Sequence, residues 1–236
     1  MLWFEHDLFD QLNLIQLLDR LAQAPRRARI TLVSIDGYPN YPDFHGMGEL
    51  KPAEIASLFT TRQEVSEAQL TLASRAYAAF RASTPAELEA LLQTDTSALP
   101  FLAPALARHL EEFPAGTTGL SRTEALIIAA VEHAPVGIVD VFRQVHAGER
   151  YFFIGDSSFW TIVVRLATAT PALIDVEIAS ASSQALPNGT IRITDSGAEV
   201  LKGRADRIAL CGIDRWLGGV HLTDEQPWRR QTAPAL

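Results

Sequence analysis

A chain of 236 residues with 47% hydrophobic side chains can bury a core without disulfides, as one large domain or two small ones. Its single cysteine, Cys211, excludes an intramolecular disulfide and any CxxC metal knuckle, and its apolar setting at 208–212 reads as a buried structural thiol. The net charge is −8, with 15 Asp and Glu against 9 Lys and Arg in residues 1–115 and 13 against 11 in residues 116–236, so neither half is basic enough for phosphate neutralisation to drive nucleic-acid binding.

In chain order, Met1-Leu2-Trp3-Phe4 reads as the end of a buried strand. Glu5, His6 and Asp7 lead from it into a helix whose apolar positions Leu8, Leu12, Ile15 and Leu18 keep helical spacing up to Pro25. The same polar residues interrupt any secretory signal, and no run approaches the roughly 20 apolar residues of a membrane span. The expected compartment is the cytoplasm, with no membrane partner. A β-branched strand over 28–36 follows, closed by Gly37, Pro39 and Pro42. Strand, helix, strand at this spacing is a right-handed parallel crossover, a partial Rossmann-like α/β unit. Two parallel strands do not make a stable sheet alone, so the expectation is either a homodimer that completes the sheet or an N-terminal segment encoded upstream of Met1.

From Pro52 to Pro114 the pattern predicts helices at about 52–60, 66–82, 85–93 and 99–113, with a capping box at Ser66 and an N-cap before proline at Thr84-Pro85. The glycine-containing stretch 115–119 reads as a linker. Beyond it, a capping box at Ser121-Arg122-Thr123-Glu124 opens a helix, a short helix covers 138–145, and 151–154 is strand-like. A third helix over 159–169, capped by Asp156 or Ser157, precedes strands at 173–178 and 190–193 and a helix from Thr194. Three helices followed by a hairpin is winged-helix order. The expected fold class is α+β: a partial Rossmann-like unit with a central helical segment in 1–115, and a winged-helix-like module in 119–236.

Six phrases carry a family resemblance: Trp3-Phe4-Glu5-His6-Asp7-Leu8-Phe9-Asp10-Gln11, Phe44-His45-Gly46-Met47-Gly48-Glu49-Leu50, Leu99-Pro100-Phe101-Leu102, Gly119-Leu120-Ser121-Arg122-Thr123-Glu124, Gly155-Asp156-Ser157-Ser158-Phe159-Trp160 and Gly212-Ile213-Asp214-Arg215-Trp216-Leu217-Gly218-Gly219-Val220-His221-Leu222. Together they span nearly the whole chain and resemble an uncharacterised bacterial family, domain of unknown function 1835. The resemblance implies an α/β segment before the Trp-Phe-Glu-His-Asp phrase, which this sequence lacks, and it implies no activity.

In an open parallel sheet ligands bind beyond the carboxyl ends of the strands. That rule singles out His6, Asp7 and Asp10 after the first strand, Asp36 after the second, and His45 and Glu49 in the glycine-containing loop that follows. Carboxylates and imidazoles so placed have the chemistry of a divalent-cation site or a general acid/base pair. The plainer reading makes Asp7 an N-cap, puts Asp10 and Gln11 on the solvent face, and leaves the glycines beside His45 to shape a turn. No HExxH, P-loop, GxGxxG or GxSxG motif names a reaction. The third helix of the second half reads apolar on nearly every face and hence buried, so the winged helix is expected to serve packing or protein interaction. One alternative is a transcriptional regulator contacting nucleic acid through Arg165, Arg192 and Lys202; another is a metal-dependent hydrolase built on the strand-end carboxylates. Asp206-Arg207 and Asp214-Arg215-Trp216 read as ion pairs locking the last strands, with Trp216 and Trp228 as core or lid aromatics.

Overall fold

Leu2–Glu5 (β1) and Thr31–Ile35 (β2) pair in parallel, from Leu2 opposite Leu32 to Glu5 opposite Ile35, in a computed structural model that describes residues 1–25, 29–42, 44–151, 154–180, 186–225 and 227–231. Leu8–Gln23 (α1) connects the two strands. Asp7 caps it by accepting the Asp10 N–H at 2.8 Å, and Leu14, Ile15 and Leu18 form its buried stripe. Gln63–Glu64 (β3) pairs antiparallel with β2, giving the order β1-β2-β3 with β1 outermost. Successive side chains of a strand face opposite sides. Val33 accordingly packs with Phe44, Leu50 and Leu58, while Leu32 and Ser34 turn toward a cleft on the other face.

The central segment forms Pro52–Leu58 (α2), Glu67–Phe80 (α3), Ala86–Leu92 (α4) and Leu102–Leu110 (α5). The Ser66 side chain accepts from the Gln69 N–H, and Gln69 returns the bond to the Ser66 N–H at 2.9 Å, so the sequence-level capping box forms as expected. α3 buries Leu70, Leu72, Ala73 and Ala76 and packs along α1 and α4. α5 begins at Leu102 rather than at 99; the residues before it form turns, in which the Leu102 N–H donates to the Leu99 carbonyl at 3.0 Å.

The second half contributes Arg122–Ala130 (α6), Val136–Gly137 (β4), Ile138–His146 (α7), Asp156–Thr168 (α8), Ile174–Ser180 (β5), Asn188–Ile193 (β6), Asp195–Leu201 (α9), Arg207–Cys211 (α10), Asp214–Leu217 (β7) and Val220–Thr223 (β8). β4, β6 and β5 form an antiparallel sheet in that order, and β7 with β8 forms a two-stranded sheet. Ile127, Ile128, Val141, Phe159, Val163, Leu166, Ile174, Ile191 and Val200 close one continuous core.

The chain is thus a mixed α and β protein of two compact units. The first holds Met1–His109 with Arg150, Tyr151 and Gly218–Val220; the second holds the rest from Leu110 onward. The stretch 115–119 lies within the second unit: Ala115 is buried, and at Gly119, with φ +69°, a Cβ would fall 3.1 Å from the Ile208 backbone. At 151–154, Tyr151 and Ile154 are irregular, and 152 and 153 lie outside the described residues. Among the described residues no helix is long and apolar enough to cross a membrane.

The structure corrects the sequence reading of α8. This helix buries Phe159, Val163 and Leu166 and exposes Ser157, Thr161, Val164 and Thr168, so it is amphipathic rather than buried all round. Short hydroxyl side chains spaced one turn apart make its outer face polar without charge. Its N-cap is Gly155, one residue before Asp156.

Candidate functional site

Glu5, His6 and Asp7 end β1 as the sheet rule requires, but their environment differs from the one read off the sequence. His6 is only 1% exposed, and neither ring nitrogen makes a hydrogen bond of ordinary geometry, the Arg150 backbone giving it only a weak polar contact. Its ring lies in an aromatic box: Phe44 stacks at 6.2 Å, while Phe101 and Tyr151 present edges at 6.4 and 5.8 Å. Burial pushes the imidazole below its ordinary value; Asp7, Asp36 and the Arg150 backbone act against that without reversing it. His6 is therefore held neutral.

The carboxylates around His6 are engaged in three separate sets. Asp10 is half-buried, accepts the Glu5 N–H, and has its own N–H held by Asp7. Gln11, expected on the solvent face, is buried and donates from Nε2 to the Glu5 carbonyl at 2.6 Å. Glu5 Oε1 accepts the Met47 N–H at 2.6 Å, tying the 44–50 loop to the end of β1. That contact needs Gly46, where a Cβ would sit 2.1 Å from Glu5 Oε2. Asp36 pairs with Arg150 at 2.8 Å, and exposed His45 pairs with Glu49 at 3.2 Å. Burial raises both the Glu5 and the Asp10 carboxyl; for Glu5 the Met47 N–H offsets part of it, and for Asp10 the Glu5 N–H does. Among the described residues, no group of three or more His, Cys, Asp and Glu side chains is placed to hold a metal ion.

Beside this cluster the first unit opens a cleft of about 440 Å³. Gln11, Ser34, Thr61, Gln63, Gln69 and Ser97 provide its amide and hydroxyl groups, and Leu14, Leu32, Ile35, Leu99 and Phe101 provide apolar wall. Among the described residues no charged side chain lines it. Gln11 and Phe101 belong to both cleft and cluster, since Gln11 bonds the Glu5 carbonyl and Phe101 meets the His6 ring. The sequence reading missed Phe101, Arg150 and Tyr151 as neighbours of His6. Leu99-Pro100-Phe101 stood out only as a family phrase, and nothing local to 150–151 signals a partner near residue 6.

In the second unit two of the three nucleic-acid contacts of the alternative reading, Arg165 and Arg192, are paired within the fold. Arg165 reaches Glu124 at 3.4 Å, and Arg192 holds Asp175 across the β5–β6 pair at 2.9 Å. Lys202 is exposed at the end of α9. Arg207 and Arg215 turn toward Glu124, each at 3.8 Å, and not toward the aspartates beside them in sequence. Asp206 instead caps α10 and pairs with Arg229, while Asp214 pairs with His221 at 2.7 Å. Trp216 is 63% exposed and stacks on His221 at 4.4 Å, so it is neither core nor lid; Trp228 packs on Phe113. Cys211 is half-buried, its thiol raised by burial and directed at the Pro171 carbonyl.

No family model, no curated protein and no solved structure matches this chain.

Proposed function

We propose that the chain is a binding protein for an uncharged polar small molecule, taken up in the cleft of the first unit at the carboxyl end of β2. The observation that carries this reading is the lining. Six amide and hydroxyl side chains face an apolar wall, with no Lys, Arg, Asp or Glu among the described lining residues. Ligand sites are concave, mostly apolar and furnished with a few oriented polar groups. A phosphorylated ligand would need cationic or N–H-rich contacts that this lining lacks. Gln11 and Phe101 link the cleft to the end of β1, Gln11 through the Glu5 carbonyl and Phe101 through the His6 ring.

The test is a thermal-shift panel of nucleosides, free sugars and their phosphorylated forms on wild type and on Ala98→Trp, which fills the cleft from its wall. Uncharged compounds raise the wild-type midpoint, their phosphorylated forms do not, and Ala98→Trp loses the rise while keeping its own midpoint. A rise that survives Ala98→Trp removes the cleft as the site.

Membership of the family designated domain of unknown function 1835 belongs to the same proposal, supported by the six phrases quoted above. So does a winged-helix identity for the second unit, supported by the order α6-β4-α7-α8-β5-β6 and by the β4-β6-β5 sheet. We read that module as one for packing or protein interaction, because the outer face of α8 carries serine, threonine and valine where a groove reader shows arginine or asparagine. Pairing with a second copy along the outer edge of β1 is supported by the sheet order, which leaves that edge open among the described residues. Light scattering decides it: a monomer mass at high protein concentration removes the dimer.

A further inference from the structure

Glu124 is 2% exposed in the first turn of α6, where one carboxylate oxygen accepts the Ser121 N–H at 2.9 Å. Its other oxygen, Oε1, faces three arginines from three different elements. Arg165 of α8 lies at 3.4 Å, Arg207 of α10 at 3.8 Å and Arg215 of β7 at 3.8 Å. Only Arg165 is within hydrogen-bond reach of it. Arg207 donates to the Gly212 carbonyl at 2.7 Å, and Arg215 donates to the Glu112 carbonyl. The Nε of all three is buried and has no hydrogen-bond partner.

A guanidinium offers five N–H donors in a fixed fork, and a carboxylate meets it best side by side and bidentate. Here three forks share one oxygen, and two of them stand off it. The Glu112 carboxylate, held by the Thr123 hydroxyl at 2.6 Å, is the other anion near Arg165. Three guanidiniums therefore face two carboxylates, an excess of buried positive charge that is costly without a counter-ion. Burial, with repulsion from Arg215 and Arg207, pushes the Arg165 guanidinium below its ordinary value even though Glu124 acts to raise it.

We propose that Arg165, Arg207 and Arg215 form a site for a small oxyanion of the phosphate or carboxylate class, which balances the charge that Glu124 leaves over. The Arg165 side chain is 38% exposed, against 8% for Arg207 and 15% for Arg215. Entry is past Arg165, and a free ion in solution reaches the inner pair where a phosphate fixed to a macromolecule does not. The site is in the second unit and independent of the cleft in the first.

The experiment uses the full chain in inorganic phosphate, in acetate and in chloride at matched ionic strength. It follows thermal unfolding and the arginine Nε–Hε NMR resonances, for wild type and for Arg165→Met. Phosphate is expected to raise the wild-type midpoint above that in chloride and to shift the Nε–Hε signals of all three arginines, with both effects lost in Arg165→Met. The same pattern with acetate alone assigns the site to carboxylates. Arginine signals unmoved by either ion overturn the proposal, whatever the midpoint does, since any stabilisation then comes from elsewhere. Should Arg165→Met fail to fold, the wild-type resonances decide the question without it.

Discussion

His6 in the first unit and Glu124 in the second are 1% and 2% exposed, and each sits at the start of the helix that leaves a β-strand or capping turn. Around His6 the neighbours are aromatic, and neither ring nitrogen has a hydrogen bond of ordinary geometry. Around Glu124 the neighbours are cationic, and three elements of the unit converge through arginine. Burial acts on both groups and ends differently. It leaves the imidazole below its ordinary value; it would raise the Glu124 carboxyl, but Arg215, Arg207, Arg165 and the Ser121 N–H hold that group below the usual carboxylate range. A buried polar group with its partners locks a fold, whereas one without them destabilises it and is free for a ligand.

The largest expected effect breaks the second side of this comparison. Glu124→Ala leaves buried Arg207 and the partly buried Arg215 and Arg165 without their shared anion and should cost about 3–5 kcal/mol in urea unfolding. A loss under about 1 kcal/mol would show that the arginines are balanced by other groups. Because the carboxyl is held below the ordinary 4.5, its contribution is present above that pH and lost as pH falls through the lower folded value. Glu124→Ala should therefore flatten the acid limb of the stability profile below pH 4.5.

Next in size is Gly46→Ala. Its Cβ would fall 2.1 Å from Glu5 Oε2, so the Glu5 carboxylate must swing aside and give up the bond from the Met47 N–H. We expect a loss of about 1–3 kcal/mol, read by denaturant unfolding, together with weaker ligand binding in the cleft. Unchanged stability would mean that the loop is not anchored through Glu5.

His6→Phe sharpens the first side. A phenyl ring fits the aromatic box without polar atoms to satisfy, so stability should rise by about 1 kcal/mol. The sign with pH follows from a lowered histidine: its stability is present above the ordinary 6.5 and lost as pH falls below it. Glu5 and Asp10, both raised, act oppositely, favouring the fold in acid and losing that contribution as pH rises through their folded values. The gap between wild type and His6→Phe should therefore be constant above pH 6.5 and widen below it in melts taken across the acid range. Parallel curves would mean that His6 has a partner in solution. The smallest effect belongs to Arg192→Ala at the exposed pair with Asp175, expected to change stability by less than about 1 kcal/mol.

Strand, helix, strand over the first 35 residues, the Asp7 cap and the Ser66 and Ser121 capping boxes were legible because each depends on residues within four positions of one another. The strand ends did point to the region where polar groups gather. What they do there was not legible. Asp10 and Gln11 looked solvated from helical spacing alone, yet they bond the end of β1. α8 looked buried because its hydroxyl residues were read as neutral filler, when one turn of spacing makes them a face.

By itself the sequence determined the local elements, the absence of any intramolecular disulfide and a charge balance unfavourable to nucleic acid. Only the tertiary structure decided which polar groups meet. Arg150 reaches Asp36 across 114 residues, and Arg165 reaches Glu124 across 41. Caps and helical stripes are set by dihedral angles and neighbours a turn away, so composition and spacing reveal them. Ion pairs and aromatic boxes depend on how distant segments pack, and the side chains of Arg207 and Arg215 pass by the adjacent aspartates because a buried carboxylate gains far more from a guanidinium than a solvated one does.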